Sequence, residues 1–289
     1  MSGKYNILFT IMMVLGVSAG RSDAQDYHLG NTLAGILNKG YPASYIQGYM
    51  QSFATAMGTS VNGTSFHSAR VNFFPHVEIG INAVYISVPD EARYFLYNGQ
   101  ERQTFFGPLS NELDDISGSG MSSFTIPQIQ LDLGMFSYFQ ASLRVTRYNI
   151  SEMGEISLLG LGVKYGLSDL VSIDFIPLEV SVQAFYHAYS IEDWLSSGSF
   201  AINLQNSARL AFLPVEIFAG LGYERVSLKI KSDNLPGIGE NAAGDIPIDG
   251  KNGVRITLGA GLQVWLINMH AEYNYGFYNS AGGGLSIRF

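Results

Sequence analysis

Residues 254–264 read Val-Arg-Ile-Thr-Leu-Gly-Ala-Gly-Leu-Gln-Val, with an apolar side chain at every second position. Successive side chains of a β-strand point to opposite faces, so this period of two predicts a strand with one apolar face and one polar or small face. The same alternation continues in residues 269–277 and 285–289. The end of the chain therefore predicts consecutive strands that share one amphipathic pattern.

The pattern extends back to residue 77. About ten such segments follow one another, beginning near residues 77, 128, 139, 159, 178, 200, 215, 254, 269 and 285. Strands that present an apolar outer face and a polar inner face are typical of transmembrane barrels. We therefore expect an all-β fold, an antiparallel transmembrane β-barrel of about ten strands within a range of 8–14.

The predicted links between strands alternate in length. Short links lie near residues 136–137, 176–177, 213–214 and 266–267, and longer polar links lie at 89–121, 147–155, 190–198, 231–252 and 278–283. Bacterial outer-membrane barrels have short periplasmic turns and longer extracellular loops. The alternation predicts that the barrel begins and ends on the periplasmic side.

The composition is consistent with a membrane barrel. Only 14% of the residues are charged, whereas the chain has 17 Tyr and 18 Phe; roughly 25% charged residues is usual in soluble proteins. No run of about 18 apolar residues follows residue 20, which disfavours membrane-spanning helices. Cysteine is absent, which excludes thiolate metal sites and disulfides. The net charge of −8 argues against nucleic acid as a partner.

The N-terminus has the features of a signal peptide. Lys4 precedes an apolar stretch at residues 7–17, and small residues at Ser22 and Ala24 precede Gln25. Residues 1–24 are therefore predicted to be a cleaved signal peptide, with residues 17–19 as a second cleavage site. The alternative is a short buried helix at the start of a soluble fold. Export with a cleaved signal predicts the bacterial outer membrane as the location of the mature chain.

Residues 25–65 precede the period-two region, and apolar residues recur there at helical spacing. The recurrent positions after a predicted N-cap at Ser44 are Ile46, Tyr49, Met50, Phe53 and Met57. We expect a helical plug or cap at the periplasmic end of a barrel formed by residues 66–289. Residues 67–73 are left open: they form an extra strand that makes the strand count odd, they lie inside the lumen, or another strand within 89–121 restores an even count.

The C-terminus resembles a known assembly signal. The chain ends in Leu285-Ser286-Ile287-Arg288-Phe289, which is similar to the final strand that the barrel-assembly machinery recognises in bacterial outer-membrane proteins. The resemblance implies that Leu285, Ile287 and Phe289 are the assembly signal, and that this machinery and outer-membrane lipid are partners.

A second resemblance concerns the region before the first strand. The stretches Tyr45-Ile46-Gln47-Gly48-Tyr49, Ala56-Met57-Gly58 and 66–71 resemble uncharacterised outer-membrane barrels, of a family with a domain of unknown function, that carry a helical segment before the first strand. The layout is also distantly similar to long-chain fatty-acid outer-membrane transporters. Their Asn-Pro-Ala hatch motif is missing here and they have more strands, so transport is implied by analogy only.

Charged residues recur on the polar side of the predicted strands. The candidate lumen-lining residues are Glu78, Asp132, Arg144, Glu179, Arg209, Glu216, Arg255 and Glu272. We expect Asp132 to lie opposite Arg144 and Arg209 to reach Glu216. These charges either satisfy a packed interior or line a polar conduit. A barrel of ten strands is too narrow for a general porin.

The sequence predicts no enzyme, no metal site and no cofactor. His187 and His270 fall on the lumen side, the adjacent acids Asp114-Asp115 have no histidine in a predicted outer loop, and no Gly-x-Ser-x-Gly motif follows the predicted signal peptide. The acidic loop at 231–253 lacks the spacing of an EF-hand. A solvated acidic loop is favoured there over a calcium site.

Two functions are consistent with these features. The first is a barrel that binds small, hydrophobic solutes or passes them across the outer membrane, with the helix as a gate and an apolar access route at residues 94–97 and 105–106. The alternative is a non-conducting structural or surface-interaction barrel. A barrel enzyme is the minor alternative. The solute itself is not predicted.

Overall fold

The computed structural model describes residues 28–109, 116–136, 138–150, 152–168, 178–210, 212–238 and 243–289. The predicted signal peptide at 1–24, the Asp114-Asp115 pair and the predicted link at 176–177 lie outside the described residues. Among the described helices, none is long and apolar enough to cross a membrane.

Strands dominate the described chain, after two helices at its start. The helices are α1 (Leu29–Asn38) and α2 (Ala43–Asn62), with 3-10 turns at Asp90–Arg93 and Ser232–Asn234. The strands are β1 (Val77–Ser87), β2 (Tyr94–Tyr97), β3 (Gln100–Gln103), β4 (Ser123–Gly134), β5 (Phe139–Ile150), β6 (Gly154–Gly166), β7 (Leu178–Ile191), β8 (Leu195–Arg209), β9 (Val215–Lys231), β10 (Asp245–Asp249), β11 (Val254–Val264), β12 (Ile267–Tyr275) and β13 (Ser280–Arg288).

Ten of these strands close into a barrel. Their order is β1-β4-β5-β6-β7-β8-β9-β11-β12-β13, every pairing is antiparallel, and β13 pairs back onto β1. At this seam Glu78 lies opposite Arg288 and Ile86 opposite Ser280. The predicted antiparallel barrel of about ten strands with N-terminal helices is confirmed.

Three short strands lie outside the ring of ten. β2 and β3 form a hairpin within the link between β1 and β4. β10 pairs with the last part of β9, from Ser227 to Lys231. β11 begins at Val254 and pairs with β9 only as far as Tyr223. β10 therefore extends the wall beyond the start of β11.

The two ends of the barrel differ in the lengths of the links between their strands. The turn end is where β1 begins and β13 ends, and the loop end is the opposite one, which carries the long links at 88–122 and 232–253. The short links at 210–214 and 265–266 lie at the turn end, as predicted.

The predicted strict alternation of link lengths is wrong in four places, one of which is the short link at 276–279, where a longer link was expected. β5 and β6 are joined by residues 151–153 and β7 and β8 by 192–194, although both links were expected to be long; the link between β6 and β7 spans 167–177 at the turn end. The reason is that strand pairing continues after the outer face becomes polar, as far as Ile191 opposite Leu195. The apolar alternation marks only part of each strand.

Polarity inverts along the barrel axis. On β9 the outward residues Leu221 and Tyr223 are half exposed, whereas the outward residues further towards the loop end are Arg225, Ser227 and Lys229. The inner face changes in the opposite sense, from polar residues to the buried Val226, Leu228 and Ile230. The turn-end half thus has an apolar outside, and the loop-end half has the apolar inside of a soluble protein.

The helices fill the loop-end half. Leu33, Tyr45, Tyr49, Phe53 and Met57 are fully buried in one cluster with the apolar inner faces of the strands. The helical segment was expected at the end where the barrel begins; it lies at the opposite end, because only that end offers an apolar inner wall to bury these side chains. Ser44 is not the N-cap either; Pro42 holds that position.

Candidate functional site

Residues 63–76, which we call the lumen segment, run through the barrel from the loop end to the turn end. The Thr64 amide donates to Glu272 over 2.7 Å, and the Ala69 amide donates to the Ser207 hydroxyl over 3.0 Å. At the turn end Phe73 forms a bridge with Met135. Residues 67–73 therefore lie inside the lumen, one of the three arrangements that the sequence left open, and the ring keeps an even number of strands.

Arg144, on the inner face of β5, binds the part of the lumen segment that lies nearest to the loop end. Its guanidinium is fully buried and donates to the carbonyl oxygens of Val61 at 3.0 Å, Gly63 at 2.9 Å and Thr64. Its Nε donates to Gln130 over 2.7 Å. These acceptors include the last carbonyls of α2, where a cation also interacts favourably with the helix dipole. Arg144 thus fixes the point where the helix becomes the lumen segment.

The predicted facing pair of Asp132 and Arg144 is wrong by two residues. Gln130 lies opposite Arg144, and Asp132 lies opposite Ser142, since the link at 135–138 pairs Gly134 with Gln140. The Asp132 carboxylate accepts hydrogen bonds from Ser142 and, over 2.8 Å, from Gln130. The two charged groups are therefore joined through Gln130.

A buried ion pair joins α2 to the opposite wall. Arg255 donates to Glu224 over 3.0 Å and to Asn203 over 3.1 Å. The other oxygen of Glu224 accepts from Asn252 over 3.0 Å and from the Thr59 hydroxyl of α2 over 3.3 Å. The two charges, on β11 and β9, are thus paired with each other, as buried charges require, and the pair also accepts a hydrogen bond from the helix inside the barrel.

The seam between β1 and β13 carries a third polar cluster. Arg288 donates to Glu78 over 2.8 Å, and Ser286 also donates to that carboxylate. His67 of the lumen segment lies 3.1 Å from Glu78, and its ring stacks on that of His270 at 5.0 Å. The lumen segment therefore contacts the two strands that close the barrel.

The remaining predicted residues also lie on the inner side. Arg209 pairs with Glu216 at 3.3 Å, as expected, and Glu216 accepts from Ser68 of the lumen segment. Glu179 lies 3.6 Å from Arg70. With Glu272 bound to Thr64, each of the eight candidates contacts the wall or the chain inside it.

Glycines of the inner wall make room for the lumen segment, a signal that the sequence analysis missed. A Cβ at Gly220 would lie 2.5 Å from the Phe66 ring, and one at Gly282 would lie 2.5 Å from the Thr64 methyl group. Both glycines lie at inward-facing positions of their strands. In an open barrel, larger side chains would fit at such positions. The closeness of these glycines to the segment shows that the segment packs directly against the wall.

The C-terminal residues complete the wall. The Phe289 amide donates to Val77 over 2.8 Å, and the Val77 amide donates back over 3.2 Å. Ile287 and Phe289 are exposed on the outside, and Leu285 shares their face. The assembly signal inferred from the resemblance thus forms the last part of the seam.

A cavity of about 910 Å³ opens at the loop end. Its floor is α2, one wall is the start of the link between β1 and β4, and the other wall holds Lys251, Phe277 and Tyr278. Tyr94, Phe95 and Leu96 of the predicted access route line it, whereas Phe105 and Phe106 are fully buried against Phe53, which is a correction to the prediction.

The floor of this cavity is fixed by close contacts. A Cβ at Gly48 would lie 2.3 Å from the Phe95 ring, so the wall rests directly on the helix. Burial raises the pKa of the Tyr278 hydroxyl, and a hydrogen bond with Ser52 partly offsets this. Tyr278 therefore stays protonated at neutral pH.

A smaller cavity of about 240 Å³ lies at the turn end, lined by polar groups that include His67, Arg209, Glu216 and Gln263. It shares no lining residue with the larger cavity. The lumen segment occupies the barrel between them.

The acidic link after β9 contains paired carboxylates. Asp245 lies 3.0 Å from Lys229, and Asp249 lies 3.9 Å from Arg225. Within the described ranges, no group of three or more His, Asp or Glu side chains is placed to hold a metal ion. The solvated loop expected here is partly a strand, since β10 lies within it.

Comparison with known proteins identifies a family. The model of a family described as "Family of unknown function (DUF6588)" matches residues 3–289. No curated protein sequence is similar enough to the chain to count as a match.

Solved structures with similarity to the chain are outer-membrane proteins. An outer membrane channel from Pseudomonas putida F1 shares 10% identity over 79% of this chain and 99% of its own, with a TM-score of 0.42. OmpT of Vibrio cholerae shares 12% identity over 56% of this chain, with a TM-score of 0.29. The match to OmpT covers 55% of that protein, so the chain spans about half its length. The translocator domain of NalP from Neisseria meningitidis shares 11% identity over 74% of this chain and 87% of its own, with a TM-score of 0.29.

Proposed function

Since the chain belongs to the DUF6588 family of unknown function, we propose its role from its own geometry: it is a bacterial outer-membrane barrel that binds small solutes at its loop end and does not conduct them through its lumen. Outer-membrane lipid and the barrel-assembly machinery are its partners in this proposal.

The outer surface supports residence in a membrane. In the turn-end half the outward side chains are apolar and exposed, and the closed ring of strands leaves no unpaired edge. Exposed aromatic residues gather at both limits of this surface, as at membrane interfaces: Phe74, Phe136, Phe212, Trp265 and Phe289 at the turn end, and Tyr85, Tyr223, Tyr273, Tyr275 and Phe277 towards the loop end. The cleaved signal peptide belongs to the same proposal.

One observation carries the proposal of an occluded lumen, namely the anchoring of the lumen segment by buried Arg144. Polar wall residues are matched by the segment at successive levels, from Glu272 with Thr64 to Glu216 with Ser68. Displacing the segment would leave these buried groups unpaired, at about 1–3 kcal/mol for each group.

Conductance in planar bilayers tests the occlusion. The intact chain should give no stepwise currents. Deleting residues 28–72, which removes both helices and most of the lumen segment, should open a narrow conducting path in molecules that still show the heat-modifiable migration of a folded barrel. Stable ion-conducting steps from the intact chain would refute an occluded barrel and favour passage of solutes with the helix as a gate.

A structural or surface-interaction barrel is the second candidate. The observation that favours it is the loop-end half itself, a helix-filled core with a polar exterior. A catalytic role is not part of either proposal, since His187 and His270 are buried within the wall and do not line the large cavity. Ligand binding at the cavity separates the two candidates.

A further inference from the structure

The large cavity lies beside the part of the barrel wall whose strands end earliest at the loop end. β12 ends at Tyr275 and β13 begins at Ser280, whereas β9 continues to Lys231. In the described part of the chain α2 packs mainly against β8, β9, β10, β1 and β2, and the cavity opens beside α2 between β10 and the link that follows β1. It is therefore open to solvent from the side, directly above the apolar surface of the barrel.

The lining of the cavity is divided by charge. Glu91 and Glu101 belong to the wall formed by the link between β1 and β4, and Lys251 belongs to the opposite wall. The neighbouring Asp90 is paired with Arg93 at 3.3 Å. Among the residues that the structure describes, neither glutamate nor the Lys251 ammonium has an ion-pair partner. Two carboxylates thus face a single cation across the opening.

The space between the charges is apolar. The side chains of Tyr94, Leu96 and Phe277 are 43%, 75% and 55% exposed, although Phe95 beside them packs firmly on Gly48 and Tyr45. The floor adds the polar side chains of Gln51, Ser52 and Thr55. A preformed cavity of this size with a few convergent polar groups is typical of a small-molecule site.

We propose that this cavity binds a small zwitterionic amphipath, with its ammonium group towards Glu91 and Glu101, its anionic group towards Lys251 and its apolar body against Tyr94, Leu96 and Phe277. A short apolar peptide with free ends has this chemistry. The inference rests on the proposed function, in which the loop end and not the lumen meets the solute.

The test uses the full chain in lipid nanodiscs and four forms of one dipeptide, Phe-Phe: with free ends, acetylated at its N-terminus, amidated at its C-terminus, and blocked at both ends. Calorimetry should give the tightest binding for the free form, at least about fivefold tighter than for the doubly blocked form, as expected for partly exposed charge pairs. Equal binding of all four forms, or binding of none, would overturn the proposal.

Substitutions test which charged side chain recognises which end of the peptide. Glu91→Gln with Glu101→Gln should abolish the preference for a free N-terminus, and Lys251→Gln should abolish the preference for a free C-terminus. Ser52→Trp, which fills the floor, should weaken every form, and Glu155→Gln, outside the cavity, should change nothing. Unchanged preferences in the charge variants would refute the assignment. If the intact chain gives no currents in planar bilayers and binds none of the four peptides, the proposed peptide site is refuted but the occluded lumen is not.

Discussion

At the scale of the residue, the buried charges of the lumen are structural ties between the wall and the chain inside it. Arg144 satisfies the backbone carbonyl of Val61 in the last turn of α2, which the helix itself cannot satisfy, and those of Gly63 and Thr64 directly after it. Glu224 and Arg255 tie α2 to the opposite wall. The polar inner face that typifies an open channel is here a set of binding partners for the lumen segment.

Replacing Arg144 by Met should destabilise the barrel strongly. The change leaves the carbonyls of Val61, Gly63 and Thr64 buried without donors, at about 1–3 kcal/mol each. Urea unfolding in vesicles measures the loss. Arg147→Met is the matched control on the same strand, because its pair with Glu155 at 2.8 Å is exposed and screened by solvent, so its loss should change stability little. Equal effects of the two changes would contradict the role of Arg144.

Adding a methyl group at Gly220 should also destabilise the barrel, because the new Cβ would lie 2.5 Å from the Phe66 ring. Gly220→Ala should lose about 1–3 kcal/mol, and the additional change Phe66→Leu should recover part of it. Gly261→Ala is the control, since a Cβ there would meet nothing closer than 3.6 Å. The same unfolding measurement applies, and a lack of recovery in the double variant would count against the contact.

At the scale of the element, β13 has two neighbours and closes the ring. Its backbone pairs with β12 on one side and with β1 on the other. An open edge in hydrocarbon would leave these backbone groups unpaired, at several kcal/mol each. The last strand is therefore necessary both for closure and for the apolar outer surface.

Deleting Phe289 should impair insertion into the outer membrane. The deletion removes the reciprocal backbone hydrogen bonds with Val77 and the exposed aromatic ring at the end of the seam. Cell fractionation and protease sensitivity report the amount that is inserted. Asp249→Asn, at an exposed site in β10, is the control and should insert normally. A deletion variant that reached the outer membrane at the normal level would refute Phe289 as part of the assembly signal.

The element scale also explains the misplaced strand ends. Outward residues on β9 become polar after Tyr223, although pairing with β8 continues to Ile230. The apolar alternation ends where the apolar outer surface ends, whereas hydrogen bonding ends where the chain turns. Two links at the loop end are consequently much shorter than the sequence pattern indicates.

At the scale of the whole molecule, the two ends of the described chain lie at opposite ends of the barrel. The His28 ring lies 3.5 Å from Glu192 in the link between β7 and β8 at the loop end, whereas Phe289 pairs with Val77 at the turn end. The chain therefore passes once through the interior before it forms the wall around itself.

Epitope tags test this path. With the loop end outside the cell, a tag inserted at Gly40, between α1 and α2, should bind antibody on intact cells. A tag inserted at Phe212, in a turn-end link, should bind only after permeabilisation. Both sites are exposed, so neither insertion disturbs the core. Antibody binding at Phe212 but not at Gly40 on intact cells would show that the barrel has the opposite orientation.

The amino-acid sequence by itself determined the wall of this protein. A period of two is a local property, because each side chain's face follows from its position in the strand. The alternation in residues 254–264 therefore predicted both the strand and its inner and outer faces correctly. The helical spacing of Tyr49, Phe53 and Met57 predicted α2 in the same way.

Only the tertiary structure decided what lies inside the wall. The position of the helices at the loop end depends on the apolar inner faces of several strands distant in sequence, such as Val84 and Val226. The path of the lumen segment depends on small wall residues such as Gly220 and on the reach of Arg144. The cavity requires three separate links to meet beside α2. These features are long-range contacts, which local periodicity does not encode.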